Sequence, residues 1–144
     1  MTSCIFCDIL ANLAPANFVH RDDLCVAFMD IRPVNPGHVL VVPRTHAALL
    51  AELDEASVGR LMQVAQRVDI ALWASGIQCE GVTLFLADGR AAGQDVFHIH
   101  LHVFPRFHGD GHHLRFSPAY FIPTPASELE KNAGLIRALL GGEL

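Results

Sequence analysis

Residues 98–104 read HIHLHVF, with His98, His100 and His102 each separated by one apolar residue. Imidazole changes charge near neutrality, hydrogen-bonds through either ring nitrogen, binds metals and can attack electrophiles through a ring lone pair. On a β-strand the period of 2 puts Ile99, Leu101 and Val103 on one face and the three histidines on the other. The apolar face belongs to the core, which leaves a row of imidazoles along a surface or cleft. The first and third are about 13 Å apart along a strand, while zinc–nitrogen bonds are about 2.0–2.1 Å, so a single metal shared by all three is physically awkward. Two neighbours could share a metal with ligands from elsewhere, but binding several phosphate oxygens, or dividing roles among the rings, suits the row better. Imidazole that attacks phosphorus leaves readily from the resulting phosphoramidate, and neighbouring imidazolium groups would stabilise charge on the phosphoryl oxygens. Such a nucleophile needs its other nitrogen anchored, as N–H to a carbonyl, so that its lone pair points at phosphorus.

The elements that must position this row follow from periodicity and punctuation. Ile5–Leu13 predicts a short helical turn closed by Pro15. Leu24–Asp30 and His38–Val42 predict two strands, separated by the turn signals of IRPVNPG. Asp54 to about Ser75 predicts the longest helix, with Asp54 as N-cap and Gly76 as its stop. Val58, Leu61, Met62, Ala65, Val68 and Leu72 fall on one face of it. Val82–Ala87 and His98–Phe104 predict two more strands, the second stopped by Pro105. Phe107–Pro125 reads as loop, with His108, His112 and His113 in a solvated stretch. Ser127–Leu140 predicts a final helix in which Ser127 and Glu130 form a capping box. Short strands beside one long helix, without regular βαβ alternation, imply an α+β fold with a mostly antiparallel sheet.

The chain has 144 residues, which is one domain by size. It is 51% apolar and 17% charged, a composition that leaves room for an oligomer interface. A formal charge of −5 argues against a general nucleic-acid-binding surface. No apolar run reaches membrane-span length, and MTSCIFCDIL has neither a basic nor a long apolar leader region, so a cytoplasmic protein is expected. Cys25 and Cys79 sit in apolar surroundings and read as inert thiols. Cys4 and Cys7 form a C-x-x-C, half of a zinc site but a weak signal alone, and no βαβ context supports a redox role.

Histidine–apolar alternation in H98-I-H-L-H-V-F104 resembles the signature of the histidine triad (HIT) superfamily of nucleotide hydrolases and transferases. GQDVFHIHLHVFPRFHGDG (93–111), PGHVLVVPRTH (36–46), LCVAFMDIRP (24–33) and CIFCDI (4–9) are similar to segments of its small bacterial members. The resemblance runs from Cys4 to about Gly111, with residues 112–144 as a variable loop and C-terminal helix of the same domain. It implies a homodimer with joined sheets. It further implies that His100 attacks an α-phosphorus, that His102 contacts phosphate and that His38 sits beside them. Gln94 and Asp95 would lie near phosphate and leaving group. Asp30 would hold the ribose, and Ile5, Phe6, Ile9, Phe28 and Ile31 would form the slot for a base, taken to be a purine. Some members complete a zinc site that here would comprise Cys4, Cys7, His46 and His98.

Two departures bear on activity. One branch carries a hydroxyl residue where Asp95 stands, and a carboxylate cannot donate there unless protonated. Ala87-Asp88 replaces expected asparagines, so one contact to sugar or phosphate is missing. The expectation is a hydrolase of nucleoside 5′-phosphoramidates or dinucleoside polyphosphates working through a nucleotidyl-histidine at His100. A nucleotide-binding regulatory module is the alternative, and a hydrolase using the triad as metal ligands is disfavoured by the strand spacing.

Overall fold

The computed structural model describes residues 4–140. The chain divides after His112 into two compact units. In the first, α1 (Ile5–Leu10) precedes β1 (Phe18–Arg21), β2 (Cys25–Met29) and β3 (Val39–Pro43), then α2 (Glu55–Ala74), β4 (Gly81–Phe85) and β5 (Leu101–Arg106). All strand pairs are antiparallel, in the order β1-β2-β3-β5-β4. The α+β expectation therefore holds. β1 was not expected; FVHR is short and lacks apolar alternation, and pairing with β2 rather than any local apolar pattern creates it.

The two faces of the central strands pack against different elements. Cys25, Ala27, Val39, Val41, Ile99, Leu101 and Val103 meet Leu61, Val64, Ala65, Val68 and Leu72 of α2. Val26, Phe28, Leu40 and Val42 point the other way and pack against Phe6 and Ile9 of α1. Both faces are covered, so β2 and β3 read as near-continuous apolar runs. Helix α2 begins where expected: the Ser57 N–H donates to Asp54 Oδ2 at 3.0 Å and the Ser57 hydroxyl donates to Asp54 Oδ1 at 2.7 Å. Its buried stripe is rotated from the expected one. Val64 is fully buried, while Val58 and Met62 are exposed.

Two prolines explain why the histidine strand is displaced from its expected bounds. The β3–β5 ladder ends at Val41–Leu101; continued in the same register it would bring Pro43, which has no N–H to give, to Ile99, and the Ile99 N–H donates outside the ladder, to the Ala47 carbonyl at 2.7 Å. The regular ladder thus starts at Leu101, with His98 and His100 just before it. Pro105 does not stop the strand but pairs with Val82 of β4. β3 pairs no further along β5 than Val103, so the missing N–H of Pro105 breaks no ladder bond, and the Asn35 side-chain amide donates to its carbonyl at 2.9 Å.

The second unit holds a short 3-10 turn at Pro118–Phe121 and α3 (Ala126–Leu140). Phe116 stacks on Tyr120, with centroids 4.0 Å apart. α3 starts before Ser127, which puts Ser127 inside the first turn, and the expected capping box does not define its start. Among the described residues no helix is long and apolar enough to cross a membrane.

Gly37 ends the turn that delivers His38 to β3. Its φ is +100°, and an added Cβ would lie 3.1 Å from Leu72 Cδ2, 3.2 Å from Ile77 Cγ2 and 3.3 Å from Pro105 Cγ. Gly37→Ala should therefore destabilise the protein by about 1–3 kcal/mol, read as a lower urea midpoint with unchanged m-value.

Candidate functional site

Alternation along 98–103 sends the three imidazoles to the α1 side of the sheet, as the spacing requires. They are not a solvated row. His98 is fully buried and His100 is 4% exposed, with Phe6 edge-on to both at centroid distances of 5.8 and 5.0 Å. Each ring has different partners.

His98 Nε2 donates to the Pro43 carbonyl at 2.8 Å, which leaves Nδ1 as the lone-pair nitrogen. Nδ1 lies 3.5 Å from Cys4 Sγ, 3.6 Å from Cys7 Sγ and 3.3 Å from His46 Nδ1, and Cys7 Sγ is 3.4 Å from His46 Nδ1. A tetrahedral ion with zinc–sulfur bonds of about 2.3 Å and zinc–nitrogen bonds of about 2.05 Å would separate sulfur from nitrogen by about 3.6 Å and nitrogen from nitrogen by about 3.3 Å. The four atoms have the spacing of a closed metal cage, and the Pro43 carbonyl orients the deepest ligand from behind. Burial, and then Cys4 and Asp8, push the Cys7 thiol up, and a cation among these groups would reverse that.

His100 Nδ1 donates to the His98 carbonyl at 2.8 Å, the anchor required of a nucleophilic ring. Nε2 keeps its lone pair and lies 4.0 Å from Asp95 Oδ1. The Val34 N–H, which can only donate, bonds His38 Nδ1 at 3.0 Å. His38 Nε2 therefore carries the hydrogen and donates to His102 Nδ1 at 2.9 Å, which leaves His102 Nε2 as a donor. Burial pushes both of these imidazoles down, His102 to about 4, with His100 and His38 adding to the effect and Asp30 opposing it. They are neutral donors near pH 7, not the imidazolium groups expected to stabilise charge on the phosphoryl oxygens.

Two adjoining cavities open beside these rings. The first, of about 420 Å3, is lined by all five apolar residues expected there, Ile5, Phe6, Ile9, Phe28 and Ile31, together with Asp30, Asp95, His100 and His102. Ile31 forms its rim and is 90% exposed. The second, of about 580 Å3, is lined by Val34, His38, Phe85 and Phe104 and shares Asp30, Arg32, Asp95 and His102 with the first. Asp30 Oδ1 accepts the Arg32 N–H at 2.8 Å, and Oδ2 lies 3.6 Å from His38 Nε2. A smaller cavity between α2 and the sheet, lined by Val39, Val64 and Leu72, carries no comparable constellation.

Gln94 stands apart from the expected set. Its Oε1 accepts the Gly89 N–H at 2.8 Å, and its two amide hydrogens go to the carbonyls of Ala48 at 2.7 Å and Val96 at 3.1 Å. No donor is left for a substrate, so Gln94 holds the loop that carries Asp95. Asp88 likewise accepts the Leu50 N–H at 3.0 Å, while Ala87 is buried. Cys25 is buried with its thiol pushed up to about 11, by burial first and then by Asp22, as an inert thiol should be. His20 and Asp22 cluster beside it, but Asp22 is already taken by His20 at 2.6 Å and Arg60 at 2.7 Å.

The spacing of residues did not disclose the support behind His38. Asp110 accepts from Arg106 Nε at 2.6 Å and from the Asn35 amide at 2.9 Å, and Arg106 also donates to the His112 carbonyl. His112 Nε2 donates to the Val34 carbonyl at 3.0 Å. The loop after β5 thereby braces the residue whose N–H sets the His38 tautomer. PRFHGDG carried the signal, since an Arg four residues before an Asp can close such a clamp. Its partner Asn35 lies 75 residues away from that Asp.

The fold and the triad define a histidine triad protein. A family model for the HIT domain matches residues 12–109, and the chain belongs to that family. A HIT-like protein of Borreliella burgdorferi is 40% identical over 112 residues, 77% of this chain and 81% of the relative. A Zn-bound histidine triad family protein from Mycobacterium smegmatis is 41% identical with a TM-score of 0.74, covering 81% of this chain and 84% of that one. A histidine triad nucleotide-binding protein from Candida albicans is 25% identical with a TM-score of 0.84, covering 96% and 97%.

The depressed pKa of His102 predicts a pH signature. In the unfolded chain the ring binds its proton near pH 6.5, in the folded one only near pH 4, so acidification favours the unfolded state. Stability should be intact above about pH 6.5 and fall as the pH drops towards 4. Urea midpoints measured across that window should slope less for His102→Gln than for the wild type.

Proposed function

We propose that this protein is a nucleotide hydrolase that cleaves nucleoside 5′-phosphoramidates or dinucleoside polyphosphates through a covalent nucleotidyl-histidine at His100. The observation that carries the reading is the His100 Nδ1–H bond to the His98 carbonyl, at 2.8 Å, with the Nε2 lone pair left at the wall of an apolar slot. Ile5, Phe6, Ile9, Phe28 and Ile31 hold a purine base by apolar contact, and Asp30 accepts from the ribose hydroxyls. His102 Nε2–H donates to a phosphoryl oxygen, and His38, held by Val34, keeps it in the donor tautomer. Asp95 stands beside the reacting phosphorus, and Gln94 positions it.

In the first step His100 Nε2 forms a bond to the α-phosphorus as the phosphorus–nitrogen or phosphorus–oxygen bond breaks. The electron pair departs with the leaving group, which takes a proton from solvent at the open mouth of the site. In the second step a water oxygen bonds phosphorus, the pair of the N–P bond returns to Nε2, and the water proton goes to solvent. His100 ends as it began.

Cys4, Cys7, His46 and His98 would hold zinc in this reading, because the sulfur–nitrogen and nitrogen–nitrogen separations of 3.3–3.6 Å among their ligand atoms are close to those around a tetrahedral ion. A closed site of this kind is structural, and here it would fasten the segment bearing Phe6 against the rings of His98 and His100. The reading includes a homodimer joined through β4, an edge strand whose Leu84 and Phe85 are exposed.

Wild type and His100→Ala should be compared on a fluorogenic adenosine phosphoramidate and on diadenosine tetraphosphate, with intact-mass detection of a nucleotidyl adduct. The variant should lose about 10³-fold or more in kcat and form no adduct. Turnover that survives in the variant overturns the nucleophile, and tight binding without turnover by the wild type points to a regulatory module. Metal analysis should find close to one zinc per chain, with Cys4→Ser losing both the ion and thermal stability. Wild-type protein purified without zinc, and as stable as the variant, overturns the metal assignment.

A further inference from the structure

Asp30, Arg32, Asp95 and His102 line both cavities beside the triad. If the apolar slot takes the nucleoside, the α-phosphorus falls at this junction and the departing group must occupy the other cavity. Resting on the hydrolase reading above, we propose that the Arg32/Asp95/Phe85/Phe104 cavity is a leaving-group subsite that selects flat, uncharged or cationic leaving groups and disfavours polyphosphates.

Charge is the first argument. Asp30 and Asp95 bring two negative charges to the junction and Arg32 one positive charge, while His38 and His102 are held neutral by burial. Asp95 is pinned: its Oδ1 accepts the Val96 N–H at 2.9 Å and lies 4.0 Å from His100 Nε2. Arg32 is not pinned. Its contact with Asp95 Oδ2 is 3.9 Å long and both side chains are largely exposed, a pair of little energetic weight. The guanidinium can turn to a phosphoryl oxygen while the carboxylate stays. A leaving polyphosphate would then meet two fixed carboxylates with no cation reserved for it, whereas an ammonium on the leaving group would meet Asp95 directly. The transferred phosphoryl group is common to every substrate, so its own repulsion by Asp95 does not discriminate among them.

Shape is the second argument. Phe85 lies half-exposed in the wall with its ring 5.6 Å from that of His102, and the buried Phe104 ring is 4.9 Å from that of His38. Val34 adds to the apolar part of the lining. Aromatic walls of this kind favour a flat apolar group, through burial and edge or offset stacking. Phe85, Phe104 and Val34 bring no side-chain N–H donor to that wall, and Arg32 is the one guanidinium among the residues lining the cavity, short of the donor cluster that a phosphate chain requires.

The test measures kcat/KM for four adenosine derivatives: the phosphoramidate of a neutral aromatic amine, that of an aromatic amine bearing a second ammonium, that of methylamine, and diadenosine tetraphosphate. Asp95→Asn should raise the tetraphosphate relative to the neutral phosphoramidate by about tenfold, and lower the cationic one relative to it by a similar factor. Phe85→Ala should lower the aromatic phosphoramidate about tenfold relative to the methylamine analogue, with little change in the tetraphosphate-to-methylamine ratio. Ratios that stay the same in both variants, while turnover persists, overturn the leaving-group subsite and leave the hydrolase reading standing. Wild-type protein that turns over none of the substrates and forms no histidine adduct removes the hydrolase reading, and the subsite falls with it.

Discussion

The hydrogen bond from His100 Nδ1 to the carbonyl of His98 organises the rest of the site. It is local, two residues along the chain, yet it is useful only if the His98 peptide cannot move. That peptide is held through its ring. Nε2 is tied to Pro43 at the end of β3, and Nδ1 faces the sulfurs of the N-terminal segment and His46. One histidine thus joins three parts of the chain and presents its carbonyl to a second histidine. The buried, close-packed surroundings leave the His100 ring one hydrogen-bonded orientation, against Phe6.

The other pair of imidazoles shows how a fold can set a tautomer. A backbone N–H has no choice but to donate, so placing Val34 at His38 Nδ1 determines which nitrogen of His38, and then of His102, carries hydrogen. Burial makes the arrangement firm by disfavouring the doubly protonated ring. The brace of Asn35, Arg106, Asp110 and His112 behind Val34 costs several polar groups, none of which lines either cavity. Their place in the molecule is to keep one peptide still.

Much of this was legible in the chain, for identifiable reasons. A period of 2 through HIHLHV assigns faces whatever the surrounding fold, and Ile99, Leu101 and Val103 are in the core as it requires. The N-cap Asp54 and the stop after Ala74 depend on local hydrogen bonding and were equally plain. Less legible were properties that depend on a distant neighbour. β1 exists because β2 pairs with it, and β5 starts only at Leu101 because its pairing with β3, far away in sequence, ends at Val41, short of Pro43. The buried stripe of α2 differed because the sheet, not the helix alone, chooses which apolar residues to cover. Gln94 looked like a polar group for phosphate, but its amide is spent on three backbone partners.

By itself the sequence determined the residue types and their alternation: which side chains share a face, where helices can start, and that a turn separates the strands around IRPVNPG. These are local consequences of backbone period and sterics. Only the tertiary structure decided what each histidine meets. Three chemically identical rings became a ring turned to two thiols, a free-lone-pair ring and a hydrogen donor because each meets different partners: Pro43 and the cysteines, a neighbouring carbonyl, and a buried His38. Tautomer and charge are set by those partners and by loss of water, and both are properties of the folded surroundings.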